Sequence, residues 1–254
     1  MNFIPENFLC ECETIKSFII PNNITSIGDS AFSSCDSLTS IVIPNSVTSI
    51  GRRAFYGCTS LIEIKYNAIN CEDLNFDNYV FGKVGNNSSG IKLIIGSNVK
   101  KIPMNLFYVN NSYSPKIVEI MFEEDSVCES IGAGAFSSCD SLTNVIIPDS
   151  VISIGRCAFL DCRSLTSVVI GNSVTSIGDR AFYGCSSLTN VVIPNSVTSI
   201  DDLAFKACEK LTYVKYLGTK REAIKLGIGD KSKEIWRRNS AIEKIICTDG
   251  VIEL

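Results

Sequence analysis

Residues 28–50 read GDSAFSSCDSLTSIVIPNSVTSI, and residues 178–200 read GDRAFYGCSSLTNVVIPNSVTSI. The two segments agree at 17 of 23 positions. Cysteines, phenylalanines and leucines recur at the same 23-residue step elsewhere in the chain. Self-similarity at a fixed period of this length is typical of a solenoid, in which each turn is stabilised mainly by its neighbours.

One column of large apolar residues can be followed along the whole chain. Its members are Leu9, Phe32, Phe55, Phe81, Phe107, Phe136, Phe159, Phe182 and Phe205. The successive spacings are 23, 23, 26, 26, 29, 23, 23 and 23 residues. The longer steps include stretches rich in Gly, Asn and Ser at 78–90 and 108–115, which are typical of loops. We therefore expect about nine turns of 23–29 residues, of which those around Phe81 and Phe107 are the least regular.

The strand of one turn can be assigned from residues 38–44, LTSIVIP. Ile41 and Ile43 have the two-residue period of a strand with one buried face. Pro44 lacks a backbone donor and ends the strand. A second short strand follows at 47–50.

The rest of the turn contains a bend and a compact apolar group. Gly51 permits a sharp bend with positive φ. Ala54, Phe55 and Cys58 have the spacing of one helical turn that packs its apolar side inward. One turn cannot bury these groups alone, so we expect stacked turns to bury them continuously and to form a parallel sheet.

The repeated pattern L-x-x-I-x-I-P-x-S-V-x-S-I-G-x-x-A-F-x-x-C resembles the BspA-like leucine-rich repeats. Residues 28–61 and 132–216 carry it with few departures, and 3–27 and 62–131 carry it more loosely; together they make up about 85 % of the chain. The resemblance implies a right-handed leucine-rich-repeat solenoid, with a parallel β-sheet on one face and short strands and helical turns elsewhere. It also implies a role in binding other macromolecules, often at the surface of bacteria or parasitic protists.

The organisation that we predict is a repeat array followed by a cap. The array covers 1–216, with irregular turns and insertions at 67–131, and the C-terminal capping segment covers 217–254. Thr219 and Glu222 have the spacing of a capping box before a short helix that ends near Gly227. Met1 begins partway through a turn, which indicates a piece of a longer chain.

The composition excludes several classes of function. The 254 residues include 12 cysteines and no histidine, and the net charge is −4. Without histidine, Ser-His-Asp and Cys-His catalysis and imidazole metal ligation are absent. The negative charge argues against nucleic-acid binding, and no apolar run is long enough for membrane insertion. We identify no secretory signal in the sequence. The family suggests a secreted or cell-surface protein, and the cytoplasm is the alternative location.

The cysteines are open to three functional interpretations: a metal site, disulfides or a nucleophile. Zinc sites need closely spaced pairs, whereas most of these cysteines follow the 23-residue step. We predict a column of buried, free thiols and hence a reducing or anaerobic setting. Four cysteines outside the repeat positions are the least predictable: Cys71, Cys128, Cys157 and Cys247.

The outward positions of the strands are the better candidate for function. A largely hydrophobic column consists of Ile19, Val42, Lys65, Ile94, Met121, Ile146, Val169, Val192 and Lys215. The polar column beside it includes Glu63, Lys92, Glu119, Asn144, Asn190 and Tyr213. Two interpretations are open: an exposed apolar surface marks an interaction site, or β-branched residues simply suit a half-exposed strand.

Other local signals are weaker. Glu123, Glu124 and Asp125 are interpreted as solvated turn surface, and the residues from Lys231 to Arg238 as a solvated basic cluster on the cap. Asn-x-Ser/Thr tripeptides such as 23–25 are interpreted as chance in a chain rich in these residues.

We predict a non-catalytic protein-binding scaffold, an adhesin-like or host-interaction surface module as the resemblance implies. The protein partner is unidentified, and self-association through the sheet face is a further expectation. We expect no catalytic residues, no metal and no cofactor. An intracellular interaction scaffold is the alternative, and a cysteine-dependent enzyme is the least favoured one.

Overall fold

Eight phenylalanine rings form one continuous stack through the interior of the protein. In the computed structural model, which describes residues 2–109, 113–228, 230, 235 and 242–253, neighbouring ring centroids lie 4.8–5.7 Å apart with interplanar angles of 1–23°. The stack runs from Phe32 to Phe205 and includes Phe81 and Phe107. The predicted solenoid and the path of its column through the irregular turns are therefore confirmed.

The longer strand of each turn lies on one face of the solenoid, and we call these the main strands. They are β2 (Ser17–Ile19), β4 (Ser40–Ile43), β6 (Glu63–Tyr66), β7 (Ile91–Ile95), β9 (Ile117–Phe122), β11 (Asn144–Ile146), β13 (Ser167–Val169), β15 (Asn190–Ile193) and β17 (Tyr213–Tyr216). They form two parallel sheets, one from β2 to β9 and one from β11 to β17. Inward residues such as Ile41 and Ile43 are buried, as the two-residue period predicts.

A second set of two-residue strands forms two further parallel sheets. They are β1 (Phe3–Ile4), β3 (Ser26–Ile27), β5 (Ser49–Ile50), β8 (Lys101–Ile102), β10 (Ser130–Ile131), β12 (Ser153–Ile154), β14 (Ser176–Ile177) and β16 (Ser199–Ile200). They form one parallel sheet from β1 to β5 and another from β8 to β16. Each contributes one inward isoleucine to the core, which extends along the length of the array.

The segments around the phenylalanines differ from the helical turns that we predicted. The backbone N–H of Phe32 donates to the carbonyl of Ala54 in the next turn at 2.7 Å, whereas that of Cys35 donates locally to Phe32 at 3.3 Å. Ser30 and Ser34 have left-handed φ values of 52° and 56°. The backbone alternates between donors to the neighbouring turn and donors within the same turn. A helix would direct these donors to its own carbonyls and leave the next turn unpaired.

Gly51 does not have the positive φ that we expected. The left-handed residues of that turn are Arg53 and Gly57. Gly51 is required by close approach instead, because a Cβ atom there would lie 2.5 Å from the backbone nitrogen of Asp29 in the preceding turn. The repeated glycine therefore permits tight stacking of the turns.

The cysteine column forms hydrogen bonds between turns, which the sequence did not reveal. The Sγ of Cys58 donates to the Phe32 carbonyl at 3.0 Å, and those of Cys185 and Cys208 donate to Phe159 and Phe182, each at 3.2 Å. All twelve cysteines lie among the described residues and are free thiols. Burial raises the pKa of Cys185 well above the ordinary value, so this thiol is a protonated donor at neutral pH.

The C-terminal segment adds two strands to the sheet that runs from β11 to β17 and contains one short helix. Helix α1 (Lys220–Lys225) has the predicted capping box, with Thr219 and Glu222 bonded to each other's backbone. Strand β18 (Lys244–Cys247) pairs in parallel with β17, and β19 (Gly250–Glu253) pairs antiparallel with β18. The basic cluster predicted at 231–238 falls largely outside the described residues. No helix of the described part is long and apolar enough to cross a membrane.

The phenylalanine stack predicts a large, position-dependent effect on stability. Phe159 is fully buried between Phe136 and Phe182, at 5.3 and 5.2 Å. We expect Phe159→Ala to lower the free energy of unfolding by about 3–5 kcal/mol, measured by urea denaturation. Phe76 is 69 % exposed, and we expect Phe76→Ala to change it by no more than about 0.5 kcal/mol. Equal effects of the two substitutions would contradict the assigned packing.

The buried thiols predict a loss of stability at alkaline pH. Burial raises the pKa of Cys208 from 9.0 to about 12, so between these values the unfolded chain loses a proton that the folded chain retains. The free energy of unfolding therefore falls as the pH rises above about 9. We expect Cys208→Ala to make this slope shallower by about 1.4 kcal/mol per pH unit, measured by urea denaturation at a series of pH values. Cys12→Ala, in a partly exposed position, is the control, and identical slopes in the two variants would argue against the prediction.

Candidate functional site

The outward residues of the main strands form two aligned columns on one face, which we call the outward strand face. Backbone register places Ile19 beside Val42, and Lys65 beside Ile94. In the second sheet Val192 lies between Val169 and Lys215. The structure therefore brings together the predicted residues, including those in turns of unequal length.

The hydrophobic column is accessible to solvent along the array. Ile146 is 66 % exposed and Val169 is 53 % exposed, and Ile19, Val42 and Met121 are also exposed. Ile94, Val192, Lys65 and Lys215 are partly exposed. We call this column the hydrophobic stripe. In the polar column beside it, Glu63, Glu119, Asn144 and Tyr213 are exposed and Lys92 and Asn190 are partly exposed.

An ion pair joins Lys65 of the stripe to Glu123, which follows β9. The Lys65 Nζ lies 2.5 Å from the Glu123 Oε1, and the Glu123 Oε2 accepts a hydrogen bond from the Ser97 backbone N–H at 3.0 Å. The hydrogen bond from Lys65 is the largest influence that lowers the pKa of Glu123. Glu123 is therefore held in an ion pair that we did not expect, although its side chain remains partly exposed. No sequence pattern pointed to this pair, because the partners are 58 residues apart.

The outward strand face is interrupted between β9 and β11. Backbone pairing joins β7 to β9 and β11 to β13, but none joins β9 to β11 in the described part of the chain. The short strands β8, β10 and β12 pair without interruption in the same turns. The Phe107 and Phe136 rings lie 5.7 Å apart, the widest step in the stack. The turns thus remain stacked while β9 and β11 lose their backbone pairing.

A cavity of 540 Å³ opens at this interruption, and we call it the acidic notch. Its apolar walls include Met121, Phe122, Ile146 and Pro148. Its carboxylates are Glu119, Glu123, Glu124, Asp125 and Asp149. Four predicted site residues, Glu119, Met121, Asn144 and Ile146, line it. We expected a continuous face at this position, and the sequence indicated only that a 29-residue step precedes Phe136.

A second cavity of 330 Å³ lies beside the acidic notch and shares Glu123 with it. It is lined mainly by polar residues that follow the main strands: Asn22, Asn45, Asn67, Ser97 and Asn98. These side chains come from consecutive turns. The two cavities therefore form a polar margin along the carboxyl ends of the main strands.

The repeat-position thiols and the acidic side chains were the sequence's candidates for chemistry. The repeat-position thiols Cys139 and Cys185 are fully buried, and burial raises their pKa well above the ordinary value, so they are not available as nucleophiles. Among residues 2–109, 113–228, 230, 235 and 242–253, no group of three or more Cys, Asp or Glu side chains could hold a metal ion.

Comparison with known proteins identifies the family. The profile described as BspA type Leucine rich repeat region matches residues 2–125 and 112–225, with six copies. The chain belongs to the BspA-type leucine-rich repeat family. Members of this family are typically non-catalytic binding scaffolds.

Solved structures show similar repeat proteins. The Treponema leucine-rich repeat protein TpLRR (T. pallidum) is 28 % identical, with a TM-score of 0.52, and the match covers 89 % of this chain and 87 % of that one. A leucine rich cell surface protein from Faecalibacterium prausnitzii is 19 % identical, with a TM-score of 0.35 and coverages of 97 % and 83 %. A leucine-rich repeat protein from Bacteroides ovatus is 20 % identical, with a TM-score of 0.45 and coverages of 96 % and 75 %. No curated protein matches the sequence significantly.

Proposed function

We propose that this BspA-type protein is a non-catalytic scaffold that binds a protein partner through its outward strand face. The observation that carries the proposal is the exposure of Ile146 and Val169, at 66 % and 53 %, within an aligned apolar column. Five consecutive apolar positions run from Ile94 to Val192. The unpaired step between β9 and β11 lies between Met121 and Ile146, so a spacing of about 4.8 Å per strand gives a lower bound of roughly 20 Å for their extent, which is long enough to contact several side chains of a partner.

The rigidity of the scaffold supports this function. Most stripe residues project from a strand whose inward neighbours are buried, as Ile41 and Ile43 are beside Val42. A pre-ordered surface loses little conformational entropy when it binds. The polar column alongside provides charged and amide groups for a rim around the apolar contact.

We further propose an adhesin-like, surface-exposed role for the protein, as the family resemblance implies. The free thiols favour the alternative of an intracellular interaction scaffold, because buried cysteines in an oxidising compartment are commonly paired. A second copy of the chain is a candidate partner in either location, since the stripe is self-complementary in its apolar character.

Site-specific photo-crosslinking tests the binding face. We expect a photoreactive p-benzoyl-phenylalanine at position 146 or 169 to capture the same partner from source-cell extract, and at position 152 to capture none. Ile152 is the matched control because it is 47 % exposed but lies outside the stripe. A product of twice the chain mass would identify a second copy as the partner. Equal capture at all three positions would contradict the proposed face.

The captured partner then permits an affinity measurement. We expect Ile146→Asp combined with Val169→Asp to weaken binding at least about tenfold, because a carboxylate is desolvated in an apolar contact. Ile152→Asp should leave the affinity unchanged. Circular dichroism should show the same fold in all variants, since these side chains contribute little to the core.

Surface labelling distinguishes the two locations. If the protein has an adhesin-like role, a membrane-impermeant amine reagent applied to intact source cells will modify exposed lysines such as Lys101. Cytoplasmic proteins in the same sample provide the internal control. Labelling only after cell lysis would favour the intracellular scaffold.

A further inference from the structure

We propose that the acidic notch binds a positively charged segment of the protein partner, with an apolar side chain of that segment seated against Met121 and Ile146. The inference rests on the proposed function and specifies the chemistry of the partner. At the interruption between β9 and β11, the strand face contains a recess.

The apolar part of the recess is suited to one or two side chains. Met121 and Ile146 are both exposed members of the stripe and stand on opposite sides of the interruption. Phe122 and Pro148 extend the apolar wall toward the strand ends. A cavity of 540 Å³ is within the usual size of ligand sites, which is about 300–1,000 Å³.

The charge of the recess is strongly negative. Glu119, Glu124, Asp125 and Asp149 line the cavity, and in the described part of the chain none of them is in an ion pair. Glu123 is the exception, because Lys65 already neutralises it. Lys92 lies opposite Glu119 in the neighbouring strand without an ion pair between them among the described residues. An unneutralised carboxylate cluster beside an apolar wall is complementary to lysine or arginine next to an aliphatic side chain.

A single metal ion does not fit this arrangement. No three acidic side chains of the described residues converge closely enough to ligate a cation. The carboxylates are distributed around the rim, so the complementary ligand also has distributed charge. Several basic side chains on one peptide segment satisfy this requirement, whereas a nucleic acid would be repelled.

The adjoining cavity provides a path for the main chain of such a segment. Asn45, Asn67 and Asn98 lie on consecutive turns and can donate to and accept from peptide groups. The shared residue Glu123 joins this cavity to the acidic notch. An extended peptide advances about 3.3 Å per residue and turns are spaced about 4.8 Å apart, so the three spacings between the four turns of Asn22, Asn45, Asn67 and Asn98 correspond to a segment of roughly four residues.

Selection of random dodecapeptides displayed on phage, with the purified full chain as the target, tests the inference. We expect the enriched peptides to contain two or more Lys or Arg residues next to Leu, Ile or Met. We expect Glu124→Gln combined with Asp125→Asn to weaken binding of a synthetic enriched peptide about tenfold, which is a plausible sum for two charged contacts. Fluorescence polarisation measures the dissociation constant.

The control variant carries the same change of charge at a distant place. Asp201 and Asp202 are exposed acids after β16, outside the acidic notch. Asp201→Asn combined with Asp202→Asn should leave peptide affinity within about twofold, because the notch is unaltered. Raising the salt concentration from about 0.1 M to about 1 M shortens the Debye length from about 10 Å to about 3 Å and should weaken the wild-type complex to the level of the notch variant.

The outcomes separate this inference from the proposed function. Enrichment of neutral or acidic peptides, or equal weakening by the two double variants, would overturn the basic-segment proposal. The photo-crosslinking at positions 146 and 169 could still succeed in that case, and the outward strand face would then bind a partner of different chemistry. Selective loss in the notch variant supports the proposal.

Discussion

The register between neighbouring turns is the constraint on which the rest of the structure depends. The Phe32 backbone donates to Ala54 of the next turn, the Cys58 thiol donates to the Phe32 carbonyl, and the Phe32 and Phe55 rings stack at 5.2 Å. Three kinds of interaction therefore specify the same alignment of two turns. A change of alignment by one residue would disrupt all three at once, which explains why the repeats tolerate so little variation at these positions.

This constraint also explains where the chain can vary. Insertions in the middle turns lie outside the aligned positions, so Phe81 and Phe107 remain in the stack at 4.8 Å. The main strands respond differently from the core, because β9 and β11 are unpaired while β8, β10 and β12 stay paired. The strand face can therefore change locally, at the acidic notch, without loss of the interior packing.

The cysteines show how position determines chemistry. Twelve thiols suggest metal binding or redox activity when they are considered only as composition. In the array they are free, most are buried, and repeat-position thiols such as those of Cys58 and Cys185 donate hydrogen bonds to carbonyls of the preceding turn. Cysteine suits this place because it is small and apolar enough for the core and still provides a weak donor. The column is a structural element of the stack.

The sequence by itself determined the solenoid, the core column and the two outward columns, because a fixed period places equivalent residues one above another. Val42 and Lys65 could be assigned to one column from spacing alone, and the register agrees. The tertiary structure alone decided the interruption after β9, the Lys65–Glu123 pair and the position of Glu124 and Asp125 at the notch. The tertiary structure also decided the backbone conformation around the phenylalanines, since N–H groups of these segments bond to a neighbouring turn. The physical reason is that periodicity encodes what each turn repeats, whereas contacts between inserted segments far apart in the chain depend on where stacking places them.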